Sequence, residues 1–369
     1  MSFSDEVIPA TPSKMSQMKA LNFDPKTKRL SLIVKEIPKI KNADDVIVRV
    51  TFSGICGTDL HITEGSFPCK DSPLTLGHEF SGLVTQTGKD VTHVKTGDKV
   101  VVDPNRQGIG CNKCSYCTNG KYHLCTSGGI NNTIGIFRDG GWAEYCIAPA
   151  CQVFKLPSNI SLQTAAMCEP LSCISHGWER LGSVPSYARF IIQGAGIIGN
   201  LWATLLHLKG YKYVTVSEPL AKRRELFEKI GTGYEILSPD QLKAKFTNEA
   251  AVLEKGFDIC IDCSGNATAI ESGFSYLRPG GKLCIFGVAS PNARINLSPF
   301  DIYKKEITIM GVMVNPFSFN KAIALLDSMS ERYLKYDILG IKVFGLDQHE
   351  EALVELKQGK ISKAVFKIC

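Results

Sequence analysis

The stretch 189–199 constrains the fold of this chain more than any other. Arg189-Phe-Ile-Ile-Gln193 reads as a buried strand, and the run from Ile197 to Lys209 reads as a helix. Between them stand Gly194, Gly196 and Gly199 in the spacing G-x-G-x-x-G. Glycines at these offsets allow a tight turn, let backbone approach a pyrophosphate, and let the helix pack close to the strand. The helix N-terminus then presents free N–H groups to phosphate oxygens. The next strand, 213–217, ends beside Glu218, about twenty residues on, where a carboxylate suits the ribose hydroxyls of a dinucleotide. A carboxylate also repels a 2′-phosphate, so NAD is expected rather than NADP. Arg223 and Arg224 pull the other way; as a bland alternative they form a solvated helix face, with Arg223 stacking on adenine.

Strand–helix alternation continues from about Ser172 to Gly311, with further strands at 257–262 and 282–286 and a helix at 220–230. Such alternation implies a parallel sheet with right-handed crossovers. Before it, short runs such as 46–51, 82–85 and 99–103 are rich in Val, Ile and Thr and are broken by Gly, Pro, Asn and Asp. That texture predicts an all-β or barrel-like unit. The tail from 320 carries one helix-like run, 321–329, and one strand, 364–368, too little for a core of its own. It is expected to pack back on the first unit. The resulting division is a flexible extension over 1–17, a discontinuous β-rich unit over 18–171 and 316–369, and a nucleotide-binding unit over 172–315. A chain of 369 residues is long enough for two cores.

Fourteen cysteines are many for a chain with no secretory signal, and clustered thiols then argue for metal rather than disulfides. Cys111, Cys114, Cys117 and Cys125 give C-x2-C-x2-C-x7-C, with Gly108, Gly110 and Gly120 supplying tight turns. Four thiolates about 2.3 Å from one ion make a closed, structural zinc site. An iron–sulfur cluster and four free thiols are the other readings. Cys260 and Cys263 are formally C-x-x-C, but they lie along a strand with their thiols on opposite faces, which discounts a redox pair.

A second donor set comes from two turns. Cys56 lies in Gly54-Ile-Cys-Gly-Thr-Asp-Leu-His61, and His78 and Glu79 in Gly77-His-Glu-Phe80. A catalytic zinc takes about three protein ligands and keeps one position open. Cys56, His78 and Glu79 meet that need, with Glu169 either a further ligand or standing just beyond the metal. Cys168, its neighbour, competes for the role. Asp59 is placed to accept the free ring N–H of His78. Each piece alone is weak, since a lone His or Cys is more often core.

Other classes fare worse. The 42 Lys and Arg against 36 Asp and Glu give a net charge of +6 without a long basic block. Lys113, Lys121, Tyr116 and Tyr122 are too few to make the cysteine lobe a nucleic-acid surface. No apolar run nears the roughly 20 residues of a membrane span, and the N-terminus has no apolar targeting segment. A cytoplasmic protein is expected, with no nucleic-acid or membrane partner.

Together these elements resemble the zinc-containing medium-chain dehydrogenases, and within them the polyol branch of sorbitol, D-arabinitol and butanediol dehydrogenases. The likeness runs from about Lys19 to the C-terminus. It includes Gly77-His78-Glu79, the four-cysteine lobe, Gly141-Trp-Ala-Glu-Tyr145, Glu169-Pro-Leu171, the glycine loop and Pro279-Gly-Gly-Lys-Leu283. The resemblance implies a GroES-like catalytic domain, a Rossmann domain, one catalytic and one structural zinc, and a homodimer or homotetramer. It implies Cys56, His78 and Glu79 as catalytic zinc ligands with Glu169 near the metal. Thr58 and His61 match proton-relay positions. Ile198, Glu218, Arg223, Phe286, Gly287 and Val288 match dinucleotide contacts. The expected reaction is hydride transfer between NAD and a polyol or other secondary alcohol. A threonine-3-dehydrogenase-like or 2,3-butanediol activity is the runner-up, and a non-catalytic dinucleotide-binding relative is the reading from another class. Three positions depart from sorbitol dehydrogenases: Ile62 replaces a tyrosine, and Val314 and Asn315 replace an arginine and a tyrosine that hold polyol hydroxyls.

Overall fold

A computed structural model describes residues 16–105 and 110–369. Residues 1–15 of the expected extension lie outside the described residues, as does Gly108 of the cysteine lobe. Gln17 is not part of an extension. It opens the first strand and pairs with Glu36, because Met18 and Ala20 beyond it are buried.

The β-rich half holds β1 (Gln17–Asp24), β2 (Arg29–Glu36), β3 (Asp45–Gly54), β4 (Leu74–Thr75), β5 (Phe80–Thr87), β6 (Lys99–Val102), β7 (Tyr145–Pro149) and β8 (Val153–Lys155). β2, β1 and β4 form a small antiparallel sheet. The larger sheet centres on β3, whose Val46, Val48 and Val50 are fully buried on one face while Ile47 is buried on the other. β5 pairs along one edge of β3, while β7 covers the first half of the other edge.

The α/β half is a six-stranded parallel sheet: β9 (Arg189–Gln193), β10 (Tyr213–Ser217), β11 (Glu235–Leu237), β12 (Phe257–Asp262), β13 (Leu277–Ile285) and β14 (Thr308–Gly311). The order β11-β10-β9-β12-β13-β14 reverses direction between β9 and β12. A crevice at such a reversal, beyond the strand C-termini, is where doubly wound sheets bind ligands. β13 starts at Leu277, five residues before the expected strand. Its pairing with β12 jumps from Phe257↔Leu277 to Ile259↔Lys282, so Pro279-Gly280-Gly281 is carried as a bulge. Cys260 of β12 and Cys263, one residue past its end, belong to different apolar clusters, which keeps their thiols apart.

The chain then returns. β15 (Ile341–Phe344) and β16 (Lys363–Lys367) join the larger β-rich sheet, with Val365↔Gly54 and Phe366↔Ser53 in register beside β3. One apolar cluster runs through both halves, from Phe52 and Val101 to Phe190 and Ile192. The helices Cys168–Leu181 and Phe319–Met329 pack across it at the junction. Among the described residues no helix is long and apolar enough to cross a membrane.

Candidate active site and cysteine lobe

Strand register assembles the first donor set. Ser53 of β3 faces Phe80 of β5, and the Gly54 N–H donates to the Glu79 carbonyl at 2.7 Å. The turn after β3 therefore lies beside the turn before β5. Cys56, at the start of the helix Gly57–Glu64, meets His78 and Glu79, and one ligand atom from each lies within 4.8 Å of the others. Asp59 accepts the Cys56 N–H at 2.8 Å, and its other oxygen stands 3.4 Å from His78 Nδ1. That leaves Nε2 as the nitrogen free to ligate. Burial opposes charge on His78, but the Asp59 carboxylate and the Cys56 sulfur carry its pKa well above the usual histidine value. One thiolate, one imidazole and one carboxylate at this spacing, with the fourth side open to a cavity, fit a divalent zinc.

Glu79 also has a partner that sequence reasoning missed. Lys363, on β16 and 1% exposed, forms a buried ion pair with Glu79 Oε2 and donates to the Ile55 carbonyl at 3.2 Å. The packing leaves no room for a side chain at Gly54, where a Cβ would lie 2.0 Å from Glu79 Oε2.

Glu169 sits in the first turn of the helix Cys168–Leu181 and lines the same cavity, yet it is not one of the three clustered ligands. Burial pushes its carboxyl up to about 7, with His78 lowering it and Glu79 raising it. One turn later on the same face, the Cys173 thiol donates to Glu169 Oε1 at 3.4 Å. Cys173, which no spacing pattern marked in the sequence, is thus part of the cavity wall. Cys168 is buried in the apolar cluster and does not reach the cavity.

The cavity measures about 350 Å³. Thr58 and His61 line it on the side of the donor set, and Ile198, Phe286, Gly287 and Val288 on the side of the parallel sheet. The Gly287 N–H donates to the Asp262 carbonyl at 2.8 Å, which seats that loop over the C-terminus of β12. A neighbouring cavity is bounded by Gly194, Gly196, Glu218 and Arg223. Gly199 stands away from the cavities and packs the helix onto the loop, since a Cβ there would lie 1.9 Å from the Gly194 carbonyl. Glu218 is 2% exposed, and its two oxygens accept the N–H groups of Ala195 at 2.8 Å and Leu220 at 2.9 Å. Arg224 donates instead to the Glu218 and Pro219 carbonyls, while the Arg223 Nε is buried without a hydrogen-bond partner.

Of the three departures, Val314 alone lines the cavity. The expectation that Ile62 and Asn315 stand at hydroxyl-binding positions is not met here. Ile62 packs with Leu21 and Phe23 in an apolar cluster. Asn315 is fully buried, donating to Asp103 Oδ1 at 3.0 Å and accepting from Asn105 at 3.2 Å. Phe67, Asn105, Ile130, Thr133, Ile136, Phe137 and Met313 also line the cavity, and no spacing pattern marked them in advance.

The four sulfurs of Cys111, Cys114, Cys117 and Cys125 also lie within 4.8 Å of one another. Backbone N–H groups of Cys111 and Cys114 point at the sulfurs of Cys125 and Cys111, each at 3.3 Å. The N–H groups of Lys113 and Cys114 draw the Cys111 thiol down to about 6. Burial and the neighbouring sulfurs push the Cys117 thiol up to about 12, so the four groups differ in acidity, but four sulfurs gathered this closely fit a closed four-coordinate ion.

Two family models cover most of this architecture: the alcohol dehydrogenase GroES-like domain matches residues 42–158, and the zinc-binding dehydrogenase model matches 198–330. The chain is 32% identical over 362 residues to D-arabinitol dehydrogenase 1 of Uromyces fabae, covering 97% of this chain and 99% of that protein. It is 34% identical over 340 residues to D-xylulose reductase A of Aspergillus oryzae, covering 90% and 92%. A Sinorhizobium meliloti protein solved with NADP bound superposes with a TM-score of 0.85 at 30% identity, over 96% of this chain and 100% of that one. With a GroES-like half that carries the donor set and a doubly wound parallel sheet across the cavity from it, this oxidoreductase belongs to the zinc-containing medium-chain polyol dehydrogenase family.

Proposed function

We propose that the protein is a zinc-dependent, NAD-linked dehydrogenase that oxidises a polyol or other secondary alcohol to the corresponding ketose or ketone. One observation carries the reading: the Cys56–His78–Glu79 donor set and the loop 286–288 face one another across a single cavity. A zinc held by that donor set would supply Lewis acidity toward a substrate hydroxyl, and a nicotinamide cofactor held by the opposite half would supply the hydride acceptor. Cys56, His78 and Glu79 hold the metal, with Asp59 orienting His78. Glu169 stands close enough to steer the substrate hydroxyl without ligating. Oxidation releases one hydride and one proton. Thr58 and His61 carry the proton outward, His61 Nδ1 lying 3.4 Å from the exposed Ser66 hydroxyl.

Gly194 and Gly196 seat the pyrophosphate, while Gly199 lets the following helix close onto that loop. Glu218 favours NAD, because its carboxylate is fixed by two backbone N–H groups at the end of β10 and meets a 2′-phosphate with like charge. Arg223 and the NADP-bound relative argue the other way, so both cofactors belong in the test. A second zinc in the four-cysteine lobe is structural. The division at 18–171 with 316–369 and 172–315, and assembly as a homodimer or homotetramer, complete the proposal; limited proteolysis and light scattering test them.

The decisive experiment is a panel of polyols, diols and secondary alcohols, offered with NAD or NADP and followed at 340 nm, alongside elemental analysis. Turnover abolished by chelation, with two zinc ions per chain, is the expected outcome. No oxidation of any alcohol, or a rate indifferent to metal removal, overturns it.

A further inference from the structure

Beyond the donor set, the cavity wall is largely apolar among the described residues. Phe67, Ile130, Ile136, Phe137, Met313 and Val314 converge on the space a substrate would occupy past the reacting carbon. The polar side chains on that wall, Asn105 and Thr133, are already engaged with each other and with their surroundings. The Thr133 hydroxyl stands 2.6 Å from Asn105 Oδ1 and 2.7 Å from the Ile130 carbonyl. Asn105 Nδ2 donates to Asn315 Oδ1, and Asn315 Nδ2 donates to Asp103 Oδ1. Asn105 is 3% and Thr133 2% exposed, so turning either toward a ligand would break buried hydrogen bonds.

We infer that this site selects neutral alcohols whose far end carries no hydroxyl, with short vicinal diols and terminally deoxygenated polyols ahead of fully hydroxylated pentitols and hexitols. The inference rests on the reading proposed above and narrows its substrate class. Near the metal, Thr58, His61 and Glu169 serve the reacting hydroxyl and one neighbour. A further hydroxyl pressed against Phe137, Ile130 or Met313 gives up its water and finds no free partner among the described residues. An apolar pocket rejects a near-isostere bearing one extra hydroxyl by about 100-fold. The cavity of about 350 Å³ must also admit the nicotinamide ring, which favours short chains.

The experiment compares kcat/KM of the zinc-loaded enzyme for the stereoisomers of butane-2,3-diol, the four pentitols and their terminal deoxy analogues. The expected result is at least a tenfold preference for the best diol or deoxy compound over every pentitol. Phe137→Tyr, which places a hydroxyl on that wall, is expected to shrink the preference several-fold. A pentitol equal to or better than its deoxy analogue overturns the inference and leaves the dehydrogenase reading standing. A preference unmoved by Phe137→Tyr removes this wall as its source. Failure to oxidise any alcohol with either cofactor overturns both readings.

Discussion

Replacing Lys363 by methionine tests whether the buried ion pair beneath the donor set is a structural necessity. In the native protein the Lys363 ammonium meets one Glu79 oxygen and the Ile55 carbonyl, with 1% of either charged residue exposed. Methionine keeps most of the volume and removes the cation. The Glu79 carboxylate then stays buried without its counter-charge, and breaking a buried pair from one side costs about 3–5 kcal/mol. Against a total stability of about 5–15 kcal/mol, that is a large fraction. The loss falls chiefly on metal-free protein, because a bound divalent ion supplies Glu79 with another positive partner. Urea unfolding in chelator and in zinc measures both cases. The Glu79 charge raises the Lys363 pKa against the pull of burial, so the pair contributes fully below about 10.5, the usual lysine value, and fades only as pH climbs through the raised one. The penalty should therefore be flat between pH 6 and 9. Glu79→Gln in the same background should recover much of it, as contacting residues are non-additive. A loss under about 1 kcal/mol, or strict additivity with Glu79→Gln, would refute the argument.

Other outcomes follow from the same geometry. His78→Ala should lower kcat by at least about 100-fold while dinucleotide binding, read by fluorescence titration, persists; retained turnover removes the metal mechanism. In Gly199→Ala the new Cβ meets the Gly194 carbonyl, so the helix shifts and dinucleotide Kd should rise at least about tenfold, with alcohol oxidation recovering at saturating cofactor. Cys114→Ser should cut zinc from two ions per chain to one by elemental analysis and lower the Tm. His176 is held down to about 4 by burial and by its neighbour His123, so the fold keeps it neutral where the unfolded chain protonates. That stability is present above about 6.5 and drains away as pH falls toward 4. His176→Gln should flatten the urea midpoint over that range, and an unchanged slope would count against the assignment.

Local chemistry was legible because it is written in consecutive residues. The glycine loop must carry its glycines at fixed offsets, since the Gly194 carbonyl leaves no room for a Cβ at residue 199. The four lobe cysteines lie within fifteen residues and need only short turns to converge. His78 and Glu79 are neighbours in the chain. Helix and strand limits agreed to within a residue or two where periodicity was strong, as in Arg189–Gln193 and Ile197–Leu208. They slipped at β13, where a Pro-Gly-Gly bulge interrupts the alternation that marks a strand.

What the chain's own pattern determined, then, was a parallel nucleotide-binding sheet, a thiolate lobe and the donor residues Cys56, His78 and Glu79. Tertiary structure decided their company. Lys363 reaches Ile55 from 308 residues away only because β16 pairs beside β3. Cys173 joins the cavity because it lies one helical turn from Glu169. Ile62 and Asn315 turn away from the cavity, while Phe67, Ile130, Phe137 and Met313 arrive from separate loops. Contacts of that kind arise from strand register and side-chain packing, which depend on distant partners and leave no periodic trace along the sequence.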